Sequence, residues 1–220
     1  MTDAPPRPQV SRREWLLGGL GIAAAAAAGV LTARYLIARR HARPTTTVAF
    51  VYPAPKVLPP FRLTASDGTA FDAKRLEGRY TFLVFGYTNC PDVCPTTLLE
   101  LKRMKALLKD LPPEQAPAVV LVTVDPKRDT AWVVGEYARH FDPTFLGVTG
   151  AVASIDAFAL AANVAIERGA EKDGSYSVDH TASIFLTDPA GRIVALFPTP
   201  HVAQALAADY RAIVGRADGG

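Results

Sequence analysis

Phe85-Gly86-Tyr87-Thr88-Asn89-Cys90-Pro91-Asp92-Val93-Cys94-Pro95 holds both cysteines of the chain, four residues apart. Upstream, Tyr80-Thr81-Phe82-Leu83-Val84-Phe85 is β-branched and aromatic, the composition of a buried strand. Downstream, Thr96 to Asp110 sets Leu98, Leu101, Met104, Leu107 and Leu108 at helical spacing. The cysteines therefore mark a strand-to-helix junction. Backbone N–H groups and the positive helix end favour thiolate there. Spacing i, i+4 places both sulfurs on one helix face if both lie in its first turns. Such a pair can chelate one soft metal ion or close a disulfide.

Working outward, Ser66-Asp67-Gly68 between Phe61–Thr64 and Thr69–Phe71 signals a hairpin. Pro112-Pro113 ends the helix that follows the cysteines. Ala118 to Val124 is a second continuous apolar run, as expected of a parallel strand covered on both faces, and Asp125-Pro126 stops it. Asp129-Thr130 can cap a helix reaching about Phe141, and Ala151–Asn163 reads as another. Val164–Ile166 and Tyr176–Val178 are short strand candidates. Ser183–Thr187, Asp188-Pro189-Ala190-Gly191 and Arg192–Phe197 read as an antiparallel hairpin. Thr199-Pro200 is expected to open the last helix, with proline at its first position. The order predicts an α/β, thioredoxin-like fold: a mixed central sheet flanked by helices, with the active turn after a central strand.

The first 43 residues differ from the rest. Seven arginines against Asp3 and Glu14 give them +5, which leaves −2 of the whole-chain +3 for residues 44–220. With no basic stripe in the folded part, the charge balance argues against nucleic acid as a partner. Trp15 to Ala33 is an uncharged run of 19 residues, long enough to span a bilayer, with Arg34 and Arg39-Arg40 beyond it. Ser11-Arg12-Arg13-Glu14-Trp15-Leu16-Leu17 resembles a twin-arginine export signal. The expected organisation is a cytoplasmic tail at 1–14, a membrane anchor or signal-like segment at 15–38, a Pro-rich tether at 39–57 and the folded domain at 58–220. That arrangement puts the domain outside the cytoplasm, where thiol chemistry is expected.

Two thiolates suit Cu(I), Zn(II) or an iron–sulfur cluster, but two alone leave a site incomplete. Of the four histidines, His41 falls in the basic tether, His140 near a helix end and His201 in the first turn of the final helix, all positions with ordinary structural roles. His180, in Tyr176-Ser177-Val178-Asp179-His180-Thr181, runs straight into the strand at 183–187. In a thioredoxin-like sheet the loop before that strand faces the cysteine turn, which makes His180 the candidate third ligand.

Four segments then carry a resemblance: Gly86–Pro95, Val124-Asp125-Pro126-Lys127-Arg128-Asp129-Thr130, Gly147-Val148-Thr149-Gly150 and Val178-Asp179-His180-Thr181. With Leu186-Thr187-Asp188-Pro189-Ala190-Gly191 they resemble the SCO/SenC family in the right order, from about Leu58 to the last helix. Members are membrane-anchored thioredoxin-fold copper proteins that help assemble the dinuclear copper centre of cytochrome c oxidase. The resemblance implies a copper metallochaperone with Cys90, Cys94 and His180 as ligands of Cu(I) or Cu(II). Asn89 stands where His is common in the family, outside that ligand set. It further implies the oxidase's copper-site subunit and an upstream periplasmic copper chaperone as partners, and the bacterial inner membrane as location.

Cys90 and Cys94 can also serve as a redox-active pair, giving thiol–disulfide reductase activity beside copper delivery. Asp92 and Asp125 are possible outer-sphere groups, each with a bland alternative: a helix-start residue for Asp92, and pairing with Arg128 for Asp125. Asp179 is a weak candidate to orient His180, because adjacent residues of an extended segment point to opposite sides. A general membrane-anchored thiol–disulfide oxidoreductase is the main rival, and a redox or copper sensor ranks behind it. Such oxidoreductases place a proline before the penultimate strand, whereas no proline occurs here between Pro143 and Pro189.

Overall fold

The computed structural model describes residues 26–34, 46–171 and 176–217. Residues 26–34 form a helix (α1) belonging to a unit distinct from Pro44–Gly219. Among the described residues no helix is long and apolar enough to cross a membrane. The 1–14 tail, most of the 15–38 segment and residues 39–45 lie outside the described residues.

The described residues from 46 onward build an eight-stranded mixed sheet in the order β1 (Phe50–Lys56), β10 (Ile193–Phe197), β9 (Ile184–Thr187), β4 (Thr81–Gly86), β5 (Ala118–Thr123), β6 (Leu146–Thr149), β2 (Leu63–Ala65), β3 (Ala70–Phe71). At its centre β4 runs parallel to β5, and β5 parallel to β6. β9 lies antiparallel on the other side of β4 and forms a hairpin with β10. β2 and β3 make the predicted hairpin, with Leu63 opposite Phe71, and extend the far edge through β6.

The apolar runs of β4 and β5 are continuous because both sheet faces are covered. Phe82, Val84, Val119 and Leu121 pack with α3 (Val93–Leu107), α4 (Ala131–Phe141) and α6 (Ala203–Ala217). Leu83, Phe85, Val120 and Val122 pack with α2 (Ala73–Leu76) and α5 (Val152–Ala161). One close approach depends on glycine. A Cβ on Gly147 of β6 would sit 2.6 Å from the backbone of Val134 and Gly135 in α4. Any larger residue would lever that helix off the sheet.

The structure departs from the sequence expectations at several points. Residues 50–56, read as tether, form β1 (Phe50–Lys56), which pairs with β10. Pro53 and Pro55 hid it, and an edge strand tolerates them where the ladder is interrupted between Val51 and Lys56. The sheet therefore begins before residue 58. β6 went unpredicted, because four residues including a glycine carry too little pattern. The helix after the cysteines starts at Val93, three residues earlier than its apolar spacing suggests. The last helix starts at Ala203, and Pro200, preceded by a cis peptide bond, is not its first residue. Finally, β7 (Ile166–Arg168) and β8 (Val178–His180) pair with each other in a separate two-stranded arm.

Candidate metal centre

The cysteine loop leaves β4 at Gly86 and enters α3 at Val93, at the C-terminal end of the central strands. Asp92 occupies the N-cap position but its side chain caps nothing, and it is exposed. Its bland role as a helix-start residue is what the structure displays. One of the helix's free N–H groups is served by sulfur instead: Cys94 N–H points to Cys90 Sγ at 3.4 Å. Cys90 is half-buried, and Cys94 is buried at 2% exposure. Both thiols are free. Gly86 makes room for the inner one, since a Cβ there would lie 2.9 Å from Cys94 Sγ.

The loop is fastened from the connection between β5 and α4 by a residue whose sequence position marks it only as a helix cap. Asp129 is fully buried and accepts from Thr88 N–H (3.0 Å), Thr88 Oγ1 (2.5 Å) and Thr123 Oγ1 (2.6 Å). Thr149 Oγ1 of β6 donates to its main-chain carbonyl at 2.8 Å. Thr130 is the actual cap of α4, accepting from Val133 N–H. No local pattern marks Asp129, because its partners lie up to 41 residues away.

His180 ends β8 and reaches the cysteines, with Nε2 3.9 Å from Cys94 Sγ. Its Nδ1 lies 3.0 Å from the carbonyl oxygen of Thr181. A carbonyl only accepts, so Nδ1 carries the proton, and the neutral ring turns its Nε2 lone pair toward the sulfur. Burial pushes the His180 pKa down, against the Thr181 bond and the charge of Asp179. The neutral form, the one that ligates metal, is thus favoured. Asp179 itself is exposed and makes no hydrogen bond to the ring; the neighbouring carbonyl orients it instead. Tyr87 stands edge-on to the imidazole at 6.2 Å.

The expectation that the helix end favours thiolate does not hold for Cys94. Burial, then the contact with Cys90, pushes its thiol pKa up, with Asp129 adding in the same direction. Desolvation outweighs the helix end at an inward-facing sulfur.

Asp125 is fully buried and accepts from Arg128 Nε on one oxygen and Tyr176 Oη on the other, the pairing with Arg128 that the sequence left as an alternative. The Arg128 guanidinium lies over Tyr176 at 3.9 Å and over Tyr87 at 5.9 Å. Neither tyrosine contact was visible in the sequence. His201 bridges Thr97 Oγ1 (3.0 Å) and the Phe197 carbonyl (3.2 Å), a structural role. His140 is exposed on α4, and His41 lies outside the described residues.

Cys94 is the joint of the triad, with its N–H on Cys90 and its sulfur on His180. Two sulfurs and an imidazole nitrogen with its lone pair free are a donor set suited to Cu(I). Among the described residues no three His, Cys, Asp or Glu side chains are drawn close enough to form a ready metal cage. Closing the set on an ion therefore requires side-chain adjustment around the Cys94–His180 contact.

Fold and site together define a thioredoxin-like domain with a dithiol and an imidazole at the C-terminal end of its central strands. The SCO1/SenC family model matches residues 52–215. The chain belongs to the SCO1/SenC family. It is 34% identical over 147 residues to the mitochondrial SCO1 homolog 1 of Arabidopsis thaliana, covering 67% of this chain but 44% of that protein. The chain thus spans less than half the length of that relative. The copper-bound structure of ScoI from the same plant superposes with a TM-score of 0.67 at 31% identity, covering 74% of this chain and 99% of that one. Copper-bound ScoI of Bradyrhizobium japonicum gives a TM-score of 0.63 at 37% identity, covering 70% of this chain and 98% of the other.

Proposed function

We propose that this protein carries one copper ion, as cargo, on Cys90, Cys94 and His180, and delivers it during assembly of the dinuclear copper centre of cytochrome c oxidase. The observation that carries this reading is the 3.9 Å approach of His180 Nε2 to Cys94 Sγ, with the ring's only proton held on Nδ1 by Thr181. Membership of the SCO1/SenC family and likeness to two copper-bound structures support the choice of copper over zinc or an iron–sulfur cluster. A three-donor site of two thiolates and one imidazole suits Cu(I), accepts Cu(II) with a further oxygen ligand, and leaves the ion available for transfer to a partner's thiols.

The uncharged run at 15–33 serves as a single anchor in a bacterial inner membrane, with twin-arginine export as its route, and the domain works on the periplasmic side. Its partners there are an upstream copper chaperone and the copper-site subunit of the oxidase. A second role rests on a separate observation. Cys90 is half-buried while Cys94 lies buried behind it, the layout of an attacking thiol and a resolving one, so the pair also suits thiol–disulfide exchange with the oxidase's cysteines.

The test is competition titration of the reduced full-length chain with Cu(I), alongside His180→Ala, Cys90→Ser and Cys94→Ser. One equivalent of copper and at least a tenfold weaker dissociation constant in each variant are expected. Wild-type affinity in His180→Ala would remove histidine from the site. Oxidase assembly that survives His180→Ala but not Cys90→Ser would make the redox role the principal one.

A further inference from the structure

His180 does not belong to the main sheet. It sits on the β7–β8 arm, whose strands pair only with each other among the described residues. The root of the arm is held by Thr181 N–H on the Ala165 carbonyl and Ala165 N–H on Thr181 Oγ1, both at 3.1 Å. Alone, a two-stranded ribbon of three residues a side has little stability in water. Something else must hold His180 at Cys94.

Two attachments reach from the arm to the end of β5. Arg168 of β7 donates to the Val124 carbonyl from Nε (3.1 Å) and Nη2 (2.8 Å), and pairs with Asp156 of α5. Two residues before β8, Tyr176 gives its hydroxyl proton to Asp125, whose other oxygen holds Arg128. Arg128 in turn lies flat over the Tyr176 ring. The same guanidinium faces Tyr87, which stands edge-on to the His180 ring. Asp125 thus lies at the meeting point of two routes to the imidazole, one along the arm and one through Tyr87.

We infer that Tyr176, with Asp125 and Arg128, is a latch that positions His180 against Cys94 and so sets how tightly the copper cargo is held. The carboxylate is buried and bonded on both oxygens, so losing the phenol leaves an acceptor without its proton inside the protein. The arm then keeps its root and the Arg168 attachment but loses its grip beside His180. A looser third ligand favours release of the ion, while the two thiols stay in place, Cys90 in the loop and Cys94 in the first turn of α3. These three residues act through His180 and touch no metal themselves.

The inference rests on the reading of Cys90, Cys94 and His180 as copper ligands, and the test separates the two. In Tyr176→Phe, which keeps the ring under Arg128, amide hydrogen exchange of metal-free full-length protein is expected to speed up about tenfold at Gly169, whose N–H donates to the Ser177 carbonyl at 2.9 Å beside Tyr176, with Thr181 at the root and β4 and β5 unchanged. The Cu(I) dissociation constant is expected to rise about tenfold. The Cu(II) form should show weakened nitrogen coupling in its electron paramagnetic resonance spectrum. Wild-type arm exchange together with wild-type copper affinity overturns the latch. If Tyr176→Phe fails to fold, Arg128→Lys, which keeps a cation near Asp125 and loses the stack, is held to the same readouts. His180→Ala runs beside them: unchanged copper affinity there overturns the ligand reading, while arm exchange in metal-free Tyr176→Phe still decides the latch.

Discussion

His180 holds its proton on the carbonyl of Thr181 and presents Nε2 to Cys94 Sγ, so the donor atom of the imidazole is selected by main chain. No side-chain carboxylate is needed for this. A substitution of Thr181 that preserves the backbone leaves the tautomer alone, whereas Asp179, exposed on the opposite side of β8, contributes only a weak field.

The two thiols differ in environment, and their reactivity should differ accordingly. Cys94 is buried and its pKa is pushed up by desolvation, while Cys90 is half-exposed at the mouth of the loop. Thiolate is the reacting form. In reduced, metal-free protein, iodoacetamide is expected to label Cys90 at least about tenfold faster than Cys94, as followed by peptide mass spectrometry. One equivalent of Cu(I) should protect both. Equal labelling rates would show that Cys94 is not sequestered.

Much of the centre was legible because its elements announce themselves over short distances. β4 and β5 are unbroken apolar runs, the cysteines stand at the junction, and His180 precedes the hairpin of β9 and β10. What was not legible depends on partners far apart in sequence. Asp129 looks like any helix-start aspartate until Thr88 is folded onto it, and Tyr176 like any strand residue until Asp125 lies beneath its hydroxyl. β1 was lost for the opposite reason: its local signal, two prolines in seven residues, argues against a strand, and only its edge position permits it.

Gly86 is the narrowest point of the site. An added Cβ would stand 2.9 Å from Cys94 Sγ and 3.3 Å from Leu121 Cδ1, so Gly86→Ala must push the inner sulfur or the core. Overpacking of this kind costs about 1–3 kcal/mol. The expected outcome is a lower midpoint in denaturant together with weaker Cu(I) binding. Unchanged copper affinity would mean that the sulfur relocates freely.

The start of the domain hangs on Asp209 of α6. Its carboxylate accepts from the N–H groups of Thr47 (2.7 Å), Val48 (2.8 Å) and Ala49 (2.7 Å) and from Thr47 Oγ1 (2.8 Å). Burial alone would raise its pKa; the backbone donors outweigh that and hold it below the usual carboxylate range. A depressed folded value means the contribution to stability is full above the unfolded value, near ~4, and is lost as pH falls through the folded value. Asp209→Asn is expected to cost about 2 kcal/mol at neutral pH. The gap to wild type should narrow in acid, as read from denaturant melts at pH 7 and below pH 3. A gap independent of pH would assign the loss to packing.

Asp129 offers the sharpest separation between holding the loop and holding the metal. It touches neither sulfur nor imidazole, yet three donors from Thr88 and Thr123 converge on its carboxylate, and Thr88 lies two residues before Cys90. Asp129→Asn keeps the size but replaces an oxygen that accepts from two of those donors with an NH2 group, or reorients to lose the third. A buried charge-assisted network broken this way costs about 2–3 kcal/mol. If the strap positions the cysteines, Cu(I) affinity falls about tenfold and alkylation of Cys94 speeds up, because the loop no longer covers it. Loss of stability with both site readouts unchanged would reduce Asp129 to a joint between β5 and β6, with the cysteine loop holding its own shape.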